Sequence, residues 1–239
     1  MFKLLKKTIK ESLFKPNIIS FIINPSYFMR KGLYKWIQNN KKYITGKILD
    51  FWCWQKPYKK LFDYKQYVWL DIQESWHDHI NENIDVYYDW KKIPFEDECF
   101  DAILASEVFE HTFNIDIVLS ELHRTLKKNG NILITIPFVI WEHEVPYDFG
   151  RYTSFWIRHL LEKHGFTVEK IEKRWTHIET IFQLTNFYIF NLFWSCNNII
   201  KWILSLIFIF PVNLLWTIFS AILPNKWDTY MSLIILAKK

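Results

Sequence analysis

From Gly46 onward, short apolar runs alternate with helix-like segments, and this alternation restricts the chain to very few folds. The runs KILDF (residues 47–51), QYVWLDI (66–72), IDVYYD (84–89), CFDAILASE (99–107) and NILITIPF (131–138) read as five strands. Between them, KPYKKLFD reads as a short helix and NIDIVLSELHRTLKKNG (114–130) as an amphipathic one. In the latter Ile117, Leu119, Leu122 and Leu126 form the apolar stripe, Lys127 and Lys128 the last turn and Gly130 the stop. A helix over TSFWIRHLLEKHGF, a sixth strand TVEKIEKR and a final strand YMSLIILAKK follow. Strands alternating with helices predict a parallel, doubly wound α/β sheet. Three of the runs reach an acid near their carboxyl end, Asp50, Asp71 and Asp89. That edge is where open α/β sheets bind ligands.

Two regions lie outside this pattern. Residues 1–45 read as helical, with a break at Asn24-Pro25-Ser26. Residues 178–227 form an apolar insertion before the last strand, uncharged from Trp202 to Pro224. That stretch is long enough to cross a bilayer. A buried helical hairpin, a segment lying in the membrane interface and a true span all fit it. The expected organisation is therefore 1–45 as a helical segment, 46–177 with 228–239 as the α/β domain, and 178–227 as the insertion.

Composition narrows the function classes. The net charge of +5 is modest; it favours anionic surfaces or substrates and gives no reason to expect nucleic acid. Lys3, Lys6, Lys7 and Lys10 are interleaved with apolar residues, as on an amphipathic helix at its solvated face or at a membrane surface. Cys53, Cys99 and Cys196 make no metal-type spacing and read as free thiols of a reducing compartment; no metal is expected. No signal-peptide pattern opens the sequence, so a cytoplasmic location is expected, with peripheral contact at the inner face of the membrane.

From Gly46 to about Arg174, together with the last strand, the sequence resembles the class I S-adenosylmethionine-dependent methyltransferases, in particular the type 11-like branch of bacterial glycan pathways. The resemblance rests on several motifs in order: Asp50-Phe51-Trp52-Cys53-Trp54 with Pro57-Tyr58, Val68-Trp69-Leu70-Asp71, Tyr88-Asp89-Trp90 with Ile93-Pro94-Phe95, Ser106-Glu107 with Glu110-His111, and VPYDFGRYT (145–153). It implies a Rossmann-like sheet of seven strands with helices on both faces and the last strand antiparallel. It also implies S-adenosyl-L-methionine as cofactor, held by Asp50, Trp52, Cys53, Trp54, Asp71, Ile72, Asp89, Trp90 and Ser106. His111, Asp148 and Arg151 would face a small-molecule or glycan acceptor, whose hydroxyl is the expected methyl acceptor. An Arg suits an anionic group, and a His or Asp can orient or deprotonate a hydroxyl. Equally, Asp148 and Arg151 can simply lock their loop, and His111 can fix it by hydrogen bonds. A dinucleotide dehydrogenase fits less well, because Pro57 stands where the third fingerprint glycine belongs.

One discrepancy runs through these motifs. Trp52, Trp54 and Trp69 occupy positions where the family carries glycine, and Trp90 and Trp156 positions where it commonly carries a small residue. The chain holds 5 glycines and 13 tryptophans, against roughly 17 glycines expected at about 7% usage. A turn against a cofactor favours glycine because the backbone approaches closely. Decay would scatter over residue types, whereas here the acids, His111 and Arg151 survive. UGA means tryptophan in some genetic codes and glycine in others, so glycine codons read by the wrong table would give this pattern. If the tryptophans are genuine, the sequence fits a catalytically dead methyltransferase-fold module at the membrane instead.

Overall fold

The computed structural model describes residues 14–51, 56–72, 84–89, 91–224 and 229–239. Seven strands form one sheet: β1 (Thr45–Phe51), β2 (Asp63–Ile72), β3 (Val86–Tyr88), β4 (Phe100–Ser106), β5 (Leu126–Pro137), β6 (Thr167–Thr176) and β7 (Tyr230–Lys238). Their order is β3-β2-β1-β4-β5-β7-β6. β1 pairs in parallel with β2 and β4, β2 with β3, and β4 with β5. β7 runs antiparallel to β5, Ser232 opposite Pro137 and Lys238 opposite Asn131. The expected fold class is the one found. The order reverses direction at β1 and β4, so the crevice of a doubly wound sheet lies past their carboxyl ends.

The central strands are buried, as near-continuous apolar runs require. Ile48, Leu49, Ala102, Ile103, Leu104, Ile132, Leu133 and Ile134 are all inaccessible to solvent. Gly46, the second residue of β1, takes φ +78°, and any Cβ there would collide with the Asp101 carboxylate. That carboxylate accepts the Lys47 N–H at 2.7 Å and so fixes the start of the strand.

Among the described residues the helices are α1 (Ile18–Ile23), α2 (Tyr27–Asn40), α3 (Ile115–Thr125), α4 (Ser154–Lys163), α5 (Ile178–Leu192) and α6 (Asn198–Ile222). The segment after Lys56 makes only a 3₁₀ turn, Lys59–Leu61. α3 corrects the sequence reading. It ends at Thr125, and Leu126–Gly130 belong to β5 rather than to a last helical turn. Pairing decides this. Leu126, fully buried, sits opposite Phe100 of β4, and the Gly130 carbonyl accepts the Lys239 N–H. The buried residues of α3 are Val118, Leu119, Leu122 and Thr125, while Ile117 is exposed. α4 agrees with its signals: the Thr153 side chain accepts the Trp156 N–H, and Gly165 follows at φ +87°.

The chain divides into two compact units. Asn39–Lys173 with Ser232–Lys239 carries most of the sheet, and Arg174–Met231 groups with the chain up to Gln38. In the second unit Phe28 stacks on Trp216 at 4.2 Å between ring centres. Asn213, fully buried, donates to the Phe21 carbonyl at 2.7 Å and accepts from Asn186 at 2.8 Å. α6 contains a π-helical turn, Ser205–Ile209, just before Pro211. Such a turn rearranges the ladder next to a residue that has no N–H to donate. α6 is long and apolar enough to cross a membrane. Ile199, Ile203, Leu206, Ile207, Leu214, Leu215, Ile218 and Ile222 along it are exposed.

Candidate functional site

Along the carboxyl edge of the sheet, the strands present their polar residues in sequence. Asp50, the penultimate residue of β1, is fully buried and accepts the Tyr67 hydroxyl at 2.5 Å. Asp71 is the penultimate residue of β2 and is almost inaccessible; its Oδ1 accepts the Ile72 N–H at 2.7 Å. Ile72, also buried, closes the strand. Asp89 follows β3, is exposed, and accepts the N–H groups of Lys91 and Lys92. Those two hydrogen bonds hold its carboxyl below the ordinary range. Ser106 ends β4, with its Oγ 2.9 Å from Thr135 Oγ1 in β5. Trp52, Cys53, Trp54 and Trp90 lie outside the described residues.

Trp69 lies opposite Asp50 in the β1–β2 register and two residues before Asp71. Alternation along a strand puts Trp69 and Asp71 on one face. The indole is 2% exposed, its Nε1 has no hydrogen-bond partner among the described residues, and the Lys56 ammonium lies 4.9 Å over its ring. A large side chain is therefore packed on the face and at the strand end where the acids converge.

After β4 the chain turns sharply. Glu107 takes φ +56°, an uncommon conformation for a side-chain-bearing residue, and donates its N–H to the Thr135 carbonyl at 2.9 Å. A 3₁₀ turn, Phe109–His111, then places Glu110 and His111 in the interior. The Glu110 carbonyl accepts N–H groups from Phe149 at 2.7 Å and Gly150 at 3.0 Å, which ties the loop after β5 to this turn. His111 Nδ1 lies 3.0 Å from the Tyr147 carbonyl. Donation to that oxygen leaves Nε2 with its lone pair. Nε2 faces Glu144 Oε2 at 3.2 Å and Glu110 Oε1 at 3.6 Å. The His143 ring stands edge-on to His111, centres 4.9 Å apart.

Asp148 and Arg151 form a two-pronged pair at 2.5 and 2.6 Å, and Arg151 also donates to the Gly150 and Trp141 carbonyls. Arg151 is thus spent largely on holding the loop. Asp148 in turn accepts the His143 N–H at 3.0 Å and lies 3.2 Å from His143 Nδ1. Burial works to raise the Asp148 carboxyl, but Arg151 and the His143 N–H outweigh it and hold it low. Glu110 goes the other way: full burial, then the charges of Glu107 and Glu144, push it well above the ordinary range. Burial keeps His111 below its usual value, against the pull of Glu144.

The structure thus brings His111, Asp148 and Arg151 into one cluster, and Asp50, Asp71 and Ser106 onto the same sheet edge. Glu110, His143 and Glu144 join the first cluster without having been singled out as site residues by sequence. Glu110 belongs to the Glu110-His111 pair, and the signal for His143 and Glu144 is the run Trp141-Glu142-His143-Glu144 after β5, which reads from sequence only as loop.

Residues 54–134 match the family model described as a methyltransferase domain, of type 11. A rat mitochondrial ubiquinone biosynthesis O-methyltransferase is 34% identical over 73 residues, 30% of this chain. The chain spans only 20% of that relative's length. A methyltransferase structure from Archaeoglobus fulgidus covers 98% of this chain and is covered to 99%, with a TM-score of 0.53 and 16% identity. A phosphoethanolamine N-methyltransferase from Haemonchus contortus, in complex with S-adenosyl-L-methionine, covers 93% of this chain with a TM-score of 0.50 and 17% identity, this chain covering 60% of it.

Proposed function

We infer, for a chain that carries a class I S-adenosylmethionine-dependent methyltransferase domain of type 11, the transfer of a methyl group to a hydroxyl of a small-molecule or glycan-type acceptor. The observation that carries this reading is the convergence on one sheet edge of buried Asp50 and Asp71 with the His111–Asp148–Arg151 cluster. S-adenosylmethionine, when bound, supplies an electrophilic methyl group on a sulfonium. The donor set fits such a cofactor: an ionised carboxylate accepts through two oxygens, and Asp71 at the end of β2 suits the two ribose hydroxyls. Asp50 and Ser106 stand on the cofactor side, and Asp89, capping its own turn, stands at the rim. On the acceptor side, His111, held by the Tyr147 carbonyl, receives or orients the hydroxyl proton. The Asp148–Arg151 pair fixes the loop that carries Tyr147 and His143. Catalysis on this scheme is mainly positioning.

Trp69 is the element that does not fit, and it supports the codon reading. An indole buried two residues before Asp71, with its N–H unpaired among the described residues, is a poor neighbour for a bound nucleoside. Trp175 adds to this: it sits at φ +54°, a region that favours glycine. The protein in the cell then carries glycine at 52, 54 and 69, encoded by UGA. Sequencing the gene tests this, and UGG at these three positions ends the idea. UGG would favour the other reading, a dead methyltransferase fold serving as an interaction module at the membrane.

The exposed apolar residues of α6 support peripheral association with the inner face of the cell membrane from a cytoplasmic position. Activity is tested by transfer of labelled methyl from S-adenosylmethionine to quinol-type and glycan-type hydroxyl acceptors, using chains with glycine at 52, 54 and 69. Transfer that survives His111→Ala undiminished would remove His111 from the scheme.

A further inference from the structure

We propose that α5 and α6 form a helical hairpin embedded in the hydrocarbon of one bilayer leaflet, so that lipid acyl chains are the partner of its outer surface. This rests on the membrane contact inferred above for α6 and carries it from surface contact to insertion. α5 is the decisive element, because its two faces are reversed. Ile181, Leu184, Tyr188 and Leu192 recur at helical spacing and are 39–69% exposed. Thr180, Gln183 and Asn186 are buried on the other side, together with Phe187. A surface helix of a water-soluble protein turns its apolar stripe to the core and its polar face outward. The reverse suits a helix among acyl chains, where polar side chains turn toward the neighbouring helices.

The interior is built to match. Gln183 donates to the Pro25 carbonyl at 2.7 Å, Asn186 to the Asn213 side-chain oxygen of α6 at 2.8 Å, and Asn213 to the Phe21 carbonyl at 2.7 Å. Amide bridges of this kind hold helices together where lipid removes the hydrophobic drive between them. On the outside, Lys201 is the sole charged residue of the sequence between Glu179 and Lys226. Protein–protein interfaces are bounded by a polar rim; here exposed apolar residues run the length of both helices. Acyl chains fit that surface better than a protein partner does.

The ends fix how the hairpin lies. The His177 N–H donates to the Thr229 carbonyl at 2.9 Å, so the chain enters and leaves the hairpin at one place. The turn between the helices holds Ser195 and Asn197, and Lys201 Nζ stands 4.7 Å over the ring of exposed Trp194. Lysine and tryptophan suit the headgroup level, and a charge at the bilayer centre is costly. With polar groups at both base and turn, the hairpin lies along the leaflet, its apolar surface among the acyl chains.

The test uses the full chain with vesicles of phosphatidylcholine and phosphatidylglycerol. The chain should stay in the membrane pellet through washes with high salt and with alkaline carbonate. Nitroxide labels are placed at Leu184→Cys and Leu206→Cys in chains whose three native cysteines are replaced by serine. They should collide with oxygen several-fold more than with a water-soluble nickel chelate. A label at Phe155→Cys, 80% exposed on α4, should favour the nickel chelate. All three sites are exposed, and circular dichroism checks each variant against the parent. Absence of co-sedimentation overturns the α6 contact and the insertion together. Co-sedimentation that carbonate strips, or nickel collisions at Leu184 and Leu206 equal to those at Phe155, overturns insertion and leaves the contact standing. Labels shielded from both reagents in a chain that sediments as a dimer overturn it in favour of a second copy on the same surface.

Discussion

Trp69→Gly separates packing from function at a single position. The indole is 2% exposed, so its truncation costs about 3–5 kcal/mol in lost contacts and cavity. Glycine inside a strand adds roughly 0.5–1 kcal/mol, and losing the Lys56–indole contact at 4.9 Å adds about 1 kcal/mol. Against this, the change removes a buried N–H with no partner among the described residues, whose desolvation costs about 1–3 kcal/mol. The net loss is about 1.5–6 kcal/mol, or roughly 3–24 °C in Tm at 2–4 °C per kcal/mol for a chain of this size. Binding should move the other way. Combined with Trp52→Gly and Trp54→Gly, the change opens the β1–β2 edge, and S-adenosylmethionine at a hundredfold excess over Kd should return about 2.7 kcal/mol. Scanning fluorimetry with and without S-adenosylmethionine reads both effects: a ligand-dependent rise in Tm is expected for the triple variant and none for the parent. Equal, tight binding by the parent would refute the reasoning, since the indole would then lie clear of the cofactor. A single Trp69→Gly chain as stable as the parent would refute the packing half.

Three further predictions concern other parts of the molecule. Arg124 donates to both Glu121 oxygens, to Asp97 and to the carbonyls of Ile93 and Phe95. Arg124→Lys cannot serve this set and should cost about 2 kcal/mol by urea unfolding. Arg124 also holds the Glu121 carboxyl below its ordinary value. Stability from that pair is therefore present above the unfolded pKa, about 4.3, and is lost as pH falls through the folded value; acid titration of Tm should show a smaller loss in Arg124→Lys than in the parent. Asn213→Leu leaves the Phe21 carbonyl and the Asn186 amide without their partner and should cost about 2–4 kcal/mol, with sheet-unit amide exchange unchanged. Vesicles with anionic lipid should co-sediment the parent chain and release it when Leu206 and Ile207, both exposed on α6, become Glu; co-sedimentation unaltered by these changes would exclude α6 as the contact.

The strands were legible because each carries its own signal. KILDF, DAILAS and NILITIP are apolar without alternation, which is how strands buried on both faces read, and β1, β4 and β5 are those strands. The end of α3 was not legible. LKKNG is a good helix terminus taken alone, and only the pairing of Leu126 with Phe100 and of Gly130 with Lys239, over a hundred residues along the chain, recruits it to β5. Local propensity is a weak prior against such tertiary contacts. The same distinction governs the site. Asp50, Asp71 and Ser106 were readable because they end strands, and strand order alone brings strand ends together. Glu110, His143 and Glu144 converge through a loop held by hydrogen bonds from Phe149 and Gly150 to the Glu110 carbonyl. Backbone bonds of that kind leave no residue pattern behind. Glu110 could be read as one half of a Glu-His pair, but its complete burial beside His111 exists only once the loop after β5 has closed over it.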